Sequence, residues 1–149
     1  MRQAFAVWLT GLPASGKSTV ANALLGELAA RGVIAALLES DALRRILTPN
    51  PGYGDAERDS FYEAMAAIGG MLTRQGVPVV FDATANRRRY RDRARRSIPE
   101  FIEVHVVCPL QVCESRDPKG IYRRAREGTA PNVPGIQADY EPPLDPDLV

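Results

Sequence analysis

The chain has 149 residues, with 19 Lys plus Arg against 18 Asp plus Glu and a net charge of +1. That length leaves no room for a second catalytic domain, and the charge balance excludes the overall basic field of a non-specific nucleic-acid binder. Apolar residues at 45% and charged residues at 25% describe an ordinary globular core. No stretch approaches the roughly 18 apolar residues of a membrane span, and the N-terminus runs straight into a strand-like segment, so a cytoplasmic protein is expected. Cys108 and Cys113, five apart, form neither a disulfide framework nor a C-x-x-C metal site and read as reduced thiols.

In chain order, Ala4 to Thr10 (AFAVWLT) is a continuous apolar run ending at a glycine, the mark of a buried strand in a parallel sheet. From Ser18 to Arg31, Val20, Ala21, Leu24, Leu25 and Leu28 recur at helical spacing and Gly32 stops the pattern. Val33 to Leu38, Val77 to Phe81 and Phe101 to Val107 are further apolar runs. Helical patterns over Asp55 to Gln75, Arg87 to Ser97 and Cys113 to Glu127 separate most of them. This alternation predicts an α/β domain with a parallel sheet. Pro131, Pro134, Pro142, Pro143 and Pro146 predict little regular structure after residue 130.

Gly11-Leu12-Pro13-Ala14-Ser15-Gly16-Lys17-Ser18 fits G-x-x-x-x-G-K-[ST], placed after a buried strand and before a helix as the motif requires. Glycines let the backbone N–H groups wrap phosphate oxygens, and the helix start adds the positive end of its dipole. The loop with Ala14, Ser15 and Thr19 should therefore bind ATP. Lys17 should reach the β- and γ-phosphates, and Ser18 should ligate Mg²⁺.

Functional groups of a parallel sheet gather at the carboxyl ends of its strands. The acids there are Glu39 and Asp41 after the second run and Asp82 after the third. Phosphoryl transfer to a hydroxyl uses one acid near Mg²⁺ and another to take the acceptor's proton. Asp41 is the first choice as base and Asp82, after Val-Pro-Val-Val-Phe, as magnesium ligand. The opposite assignment stays open.

Seven arginines fall between Arg87 and Arg96, and helical spacing lines up Arg88, Arg91 and Arg95. They read either as a solvated face or as one or two residues pairing with substrate anions. A nucleic-acid patch is the weakest reading, because Tyr90 is the run's only aromatic residue. Arg116, Lys119, Arg123 and Arg124 suit a basic lid. His105, within an apolar run, reads as structural.

These motifs together resemble the adenylylsulfate kinase family. The similarity runs from GLPASGKST at Gly11 through Arg116-Asp117-Pro118-Lys119-Gly120-Ile121-Tyr122 to Tyr140-Glu141-Pro142-Pro143. The resemblance implies a P-loop NTPase three-layer sandwich with a parallel sheet of four to five strands and a basic lid. It covers a single domain over 1–149, with the lid at about 113–130 and a proline-rich segment at 131–149. The implied reaction moves the γ-phosphoryl of Mg-ATP to the 3′-hydroxyl of adenylyl sulfate in sulfate assimilation, with Arg116 and Lys119 over the nucleotide. Members are commonly homodimers, and neither a nucleic acid nor a membrane is implied as partner.

The acceptor motifs carry over in part. The family's D-G-D-x-x-R reads Glu39-Ser40-Asp41-Ala42-Leu43-Arg44, and G-F-x-x-x-D-R-x-x-N-x-R keeps Tyr53 and Arg58 but has Phe61 and Glu63 at its last two fixed positions. Arg88 and Arg91 match the arginines of I-S-P-Y-R-x-x-R, and F-T-G-I reads Val133-Pro134-Gly135-Ile136. The expected acceptor residues are Glu39, Asp41, Arg44, Tyr53, Arg58, Arg88, Arg91 and Lys119. Because the departures cluster there, a same-fold kinase with another hydroxyl acceptor, or a nucleotide-binding protein without turnover, remains an alternative. A typical member also continues past Tyr-Glu-Pro-Pro into a strand and a helix, so either the fifth strand is very short or the sequence lacks its last segment.

Overall fold

The computed structural model describes residues 3–149. Four parallel strands form one sheet in the order β2-β3-β1-β4: β1 (Ala6–Thr10), β2 (Ala36–Glu39), β3 (Val79–Asp82) and β4 (Phe101–His105). The helices are α1 (Lys17–Ala30), α2 (Ser40–Leu47), α3 (Asp55–Arg74), α4 (Arg88–Ser97), α5 (Leu110–Arg116) and α6 (Ile121–Arg126). None of the described helices is long and apolar enough to cross a membrane.

The continuous apolar strands are explained by the two layers that cover them. Successive side chains alternate across a sheet, so Ala6 and Trp8 of β1 with Val79 and Phe81 of β3 meet Phe61, Met65, Tyr90 and Ala94 of α3 and α4. Val7, Leu9 and Val80 face the other way, onto Ala21, Leu24, Leu25 and Leu28 of α1. Trp8 stacks on Phe81 at 4.4 Å between ring centroids, and Tyr62 stacks on Tyr90 at 4.6 Å. Gly69 lets α3 approach this stack, since a Cβ there would fall 2.2 Å from the Phe81 ring.

The stretch 113–127, expected to hold at least one helix, holds most of α5 and all of α6: Pro118 and Gly120, at φ 67, separate them, and Asp117 starts the second by accepting from the Tyr122 and Arg123 N–H groups. Two details differ from the sequence expectation. The strands begin and end up to three residues away from the apolar runs, as only residues paired to a neighbour count as strand. Helix α2 has no counterpart in the sequence reading; it starts directly at the end of β2 without a glycine or proline to announce it.

The proline-rich tail is ordered along the outside of α4 and β4. Leu148 bridges Val104 in parallel, with His105 N–H donating to Leu148 O at 2.9 Å, which amounts to a one-residue fifth strand on the β4 edge.

Candidate active site

Register places the chemistry. Glu39 pairs with Asp82 and Asp82 with Leu9, so the ends of β2, β3 and β1 lie level. The loop 11–18 leaves β1 at that edge, with Ala14 at φ 63 and Gly16 at φ 106, left-handed conformations that turn the chain into α1. Gly11 cannot carry a side chain, because a Cβ would meet Val106 O at 2.4 Å and Ser15 Oγ at 2.8 Å.

A cavity of about 480 Å³ opens over this edge, lined among others by Lys17, Ser18, Thr19, Glu39, Asp41, Asp82, Arg116 and Lys119. Most of the nucleotide and acid residues expected from sequence therefore share one space. Lys17 is 8% exposed and donates to Leu12 O at 2.8 Å and Gly11 O at 3.1 Å. Burial pulls its pKa from 10.5 to about 8, against the opposing charges of Asp82, Cys113 and Asp41. Ser18 Oγ donates to Asp82 Oδ2 at 2.7 Å, and Asp82 is 4% exposed.

That Ser18–Asp82 pair fits Mg²⁺, which prefers hard oxygen ligands and keeps much of its shell for phosphate and water. No cluster of three or more His, Cys, Asp or Glu side chains among the described residues could chelate a metal alone. The protein thus offers a partial set that a triphosphate would complete.

Asp41, in the first turn of α2, forms an ion pair with Lys119 from the α5–α6 turn. Burial lowers the Lys119 pKa, but the hydrogen bond and charge of Asp41, with Glu39 and Asp82 behind it, outweigh burial and leave the ammonium more basic than usual. The α5–α6 segment is anchored to the phosphate loop. Tyr122 donates from its hydroxyl to Pro13 O at 2.6 Å, and Cys113, Tyr122, Ala125 and Val133 form a small core with Leu12 and Ala14.

One turn along α2 from Asp41, the Arg44 guanidinium lies 4.0 Å from the Phe61 ring centroid, 5.3 Å from Tyr53 and 5.7 Å from Tyr62. Arg58 is buried and donates through Nη2 to Asn132 O at 2.9 Å. Burial lowers its pKa, and the charge of Arg44 adds to that. The Nη1 atoms of Arg44 and Arg58 are both buried without a hydrogen-bond partner. Two desolvated cations side by side with spare donors are costly unless an anion completes them. Phe61 supplies the cation–π floor for Arg44, Val133 is interior to the small core with Cys113, Tyr122 and Ala125, and Glu63 is exposed.

Of the expected acceptor residues, Glu39, Asp41 and Lys119 line the cavity, whereas Arg44, Tyr53, Arg58, Arg88 and Arg91 do not. Arg88 donates through its backbone N–H to Glu141 Oε1 at 3.0 Å and through Nε to Pro142 O at 2.7 Å. Arg91, 1% exposed, pairs with Glu103 at 3.6 Å and donates to Glu141 O. Spacing had aligned these arginines correctly, but their anionic and carbonyl partners come from β4 and the tail, which no local pattern reveals. His105, expected to be structural, is half-buried beside the Tyr140 ring, with 6.0 Å between ring centroids.

Sequence reasoning also missed residues. Asn132, at φ 55, joins two expected acceptor residues, since its Nδ2 donates to Tyr53 O at 2.6 Å while its carbonyl accepts from Arg58. Thr84 lines the cavity just after Asp82. A left-handed asparagine after a proline gave the one available hint.

Comparison with known proteins agrees with this geometry. A family model described as adenylylsulphate kinase matches residues 3–149. The chain is 42% identical over 142 residues to the adenylyl-sulfate kinase of Microcystis aeruginosa, covering 95% of this chain and 78% of that protein. It is 37% identical to the probable adenylyl-sulfate kinase of Archaeoglobus fulgidus, over 97% of this chain and 94% of that one. Among solved structures, the Mycobacterium tuberculosis APS kinase CysC in complex with AMPPNP and APS superposes with a TM-score of 0.93 at 35% identity, over 99% of this chain and 88% of that chain.

Proposed function

The chain belongs to the adenylylsulphate kinase family, and we propose that it transfers the γ-phosphoryl group of ATP to the 3′-hydroxyl of adenylyl sulfate, giving 3′-phosphoadenylyl sulfate. The observation that carries this reading is the adjacency of two unlike sites. A phosphate loop with a buried lysine, a serine and an acid lines the cavity, and behind its wall, one turn along α2 from Asp41, Arg44 and the neighbouring Arg58 each keep a buried Nη1 without a partner. An acceptor that is itself anionic suits the second site.

In this reading the loop amides with Ala14, Ser15 and Thr19 bind the phosphates, and Lys17 swings from the Gly11 and Leu12 carbonyls to the β- and γ-oxygens. Ser18 and Asp82 would hold Mg²⁺, which would supply charge neutralisation for the transferring group. Asp41, released from Lys119, accepts the proton of the attacking hydroxyl. Lys119 then turns to the phosphates, with Arg116 beside it on the cavity wall. Arg44 and Arg58 would hold the acceptor's anionic groups, Tyr53 packs beside Arg44, and Glu39, level with Asp82, would orient a water of the magnesium shell. Segment 113–130 acts as a lid within a single domain. Cytoplasmic homodimers complete the proposal, and light scattering on the purified protein reads the oligomeric state directly.

An ADP-release assay with Mg-ATP tests the function. Adenylyl sulfate should stimulate release far above buffer. A protein that binds ATP yet responds only to other hydroxyl compounds would reassign the acceptor, and one that responds to none would be a nucleotide-binding protein without turnover.

A further inference from the structure

The C-terminal segment holds one residue in an unexpected position. Thr10, the last residue of β1 before the phosphate loop, is wholly buried, and its hydroxyl is a junction of three chain segments. Thr10 Oγ1 donates to Thr84 O at 2.6 Å, two residues beyond Asp82. Tyr140 OH lies 2.9 Å from the same oxygen, and Arg91 Nη1 donates to it at 3.5 Å. A hydroxyl has one proton, and the short bond to the Thr84 carbonyl uses it, so Tyr140 is the donor to Thr10.

Tyr140 is itself held from several sides. Asn86 Nδ2 donates to Asp139 O at 3.0 Å, Glu141 N–H donates to Asn86 O at 2.8 Å, and Arg91 donates to Glu141 O. The Arg91 guanidinium lies 5.8 Å from the Tyr140 ring and is locked by Glu103. The tail thus reaches the junction on a strap sewn to the 82–86 corner and to α4.

The consequence is geometric. Thr10 sets where the phosphate loop leaves β1, and Thr84 sets where the Asp82 corner stands. Loop and corner must hold Ser18 and Asp82 2.7 Å apart. We propose that Tyr140 is a positioning residue for phosphoryl transfer: its hydroxyl bond to Thr10 keeps the phosphate loop in register with the Asp82 corner. Arg91, which the family resemblance alone assigns to the acceptor, acts through Tyr140. The inference rests on the kinase reading.

Tyr140→Phe removes the hydroxyl and nothing else. Misplacement of a loop relative to its metal ligand is felt most in the in-line transition state. The expected result is a fall in kcat of about tenfold with KM for ATP within about twofold of wild type. Thr10→Val should do the same, Thr10→Ser should retain most of the turnover, and Tyr140→Phe with Thr10→Val should be no worse than the more damaged single variant. Unchanged kcat in Tyr140→Phe, or multiplicative losses in the double variant, would overturn the proposal, as would a lowered Tm with kcat intact. If the wild type releases no ADP with adenylyl sulfate, the function fails and not this bond; acceptor-free Mg-ATP hydrolysis then carries the same comparison.

Discussion

The Ser18 hydroxyl donates to the Asp82 carboxylate across 2.7 Å, joining the first turn of α1 to the end of β3. Sixty-four residues separate the two in sequence. Their pairing marks where a divalent cation can be shared between loop and sheet. Asp82→Asn keeps the size and removes the charge. Its kcat with Mg-ATP should fall at least about a hundredfold, while affinity for ATP measured with EDTA present stays near wild type. Equal losses with and without magnesium would make Asp82 a loop brace instead.

Lys17 gives a pH signature. Burial brings its pKa to about 8, so the free enzyme loses this charge as pH rises through 8. A bound triphosphate restores the proton. The profile of kcat/KM for ATP should therefore fall above about pH 8, while kcat at saturating ATP stays flat further into the alkaline range. Stability should move the other way. The unfolded lysine binds its proton up to about 10.5 and the folded one only to about 8, so the unfolded state holds more protons between them and stability gains with pH in that window. Lys17→Ala should abolish turnover and erase the alkaline limb of nucleotide binding.

Asp41 and Lys119 hold each other across the cleft, which separates two roles for the acid. Asp41→Asn should reduce kcat by about two to four orders of magnitude with little change in ATP affinity, as loss of a general base does. If titration shows only ATP affinity falling, Asp41 is a nucleotide ligand. Lys119→Ala should instead raise KM for ATP as well as lower kcat, because its ammonium leaves Asp41 for the phosphates.

Gly11 tolerates no Cβ, with Val106 O at 2.4 Å and Ser15 Oγ at 2.8 Å from where it would stand. The first of these is backbone of the β4 end and cannot rotate away. Gly11→Ala should cost about 1–3 kcal/mol in urea unfolding and displace the loop enough to weaken ATP binding. Gly26→Ala, on α1 where nothing lies within 4 Å, is the matched control and should hold or gain stability.

The arginine run divides by burial. Arg91→Met leaves Glu103, 7% exposed, with only the partly exposed Arg95 beside it at 3.4 Å, and should destabilise by about 3 kcal/mol. Exposed Arg96→Met should change stability by no more than about 0.5 kcal/mol. Denaturant midpoints at fixed pH distinguish the two.

By itself the sequence determined the parallel α/β architecture and the phosphate site. Both rest on short-range rules: apolar runs that must be buried on two faces, helical periodicity, and a glycine-bounded loop whose function lies in its own backbone. Acids closing the runs at Glu39 and Asp82 were legible because a strand end is a local event. Tertiary structure alone decided which partners each arginine meets. Arg44, Arg58, Arg88 and Arg91 are alike in sequence, yet the first two keep a buried Nη1 without a partner, whereas Arg88 bonds to Glu141 and Pro142 and Arg91 engages Glu103 and Glu141 through its two Nη atoms, leaving only its Nε unpaired. A guanidinium's role depends on which acceptors the rest of the chain brings to it. Those arrive from 12 to 54 residues away. The same holds for Tyr140, which reaches Thr10 across 130 residues. Helix spacing can orient a side chain, but only the packed fold supplies its partner.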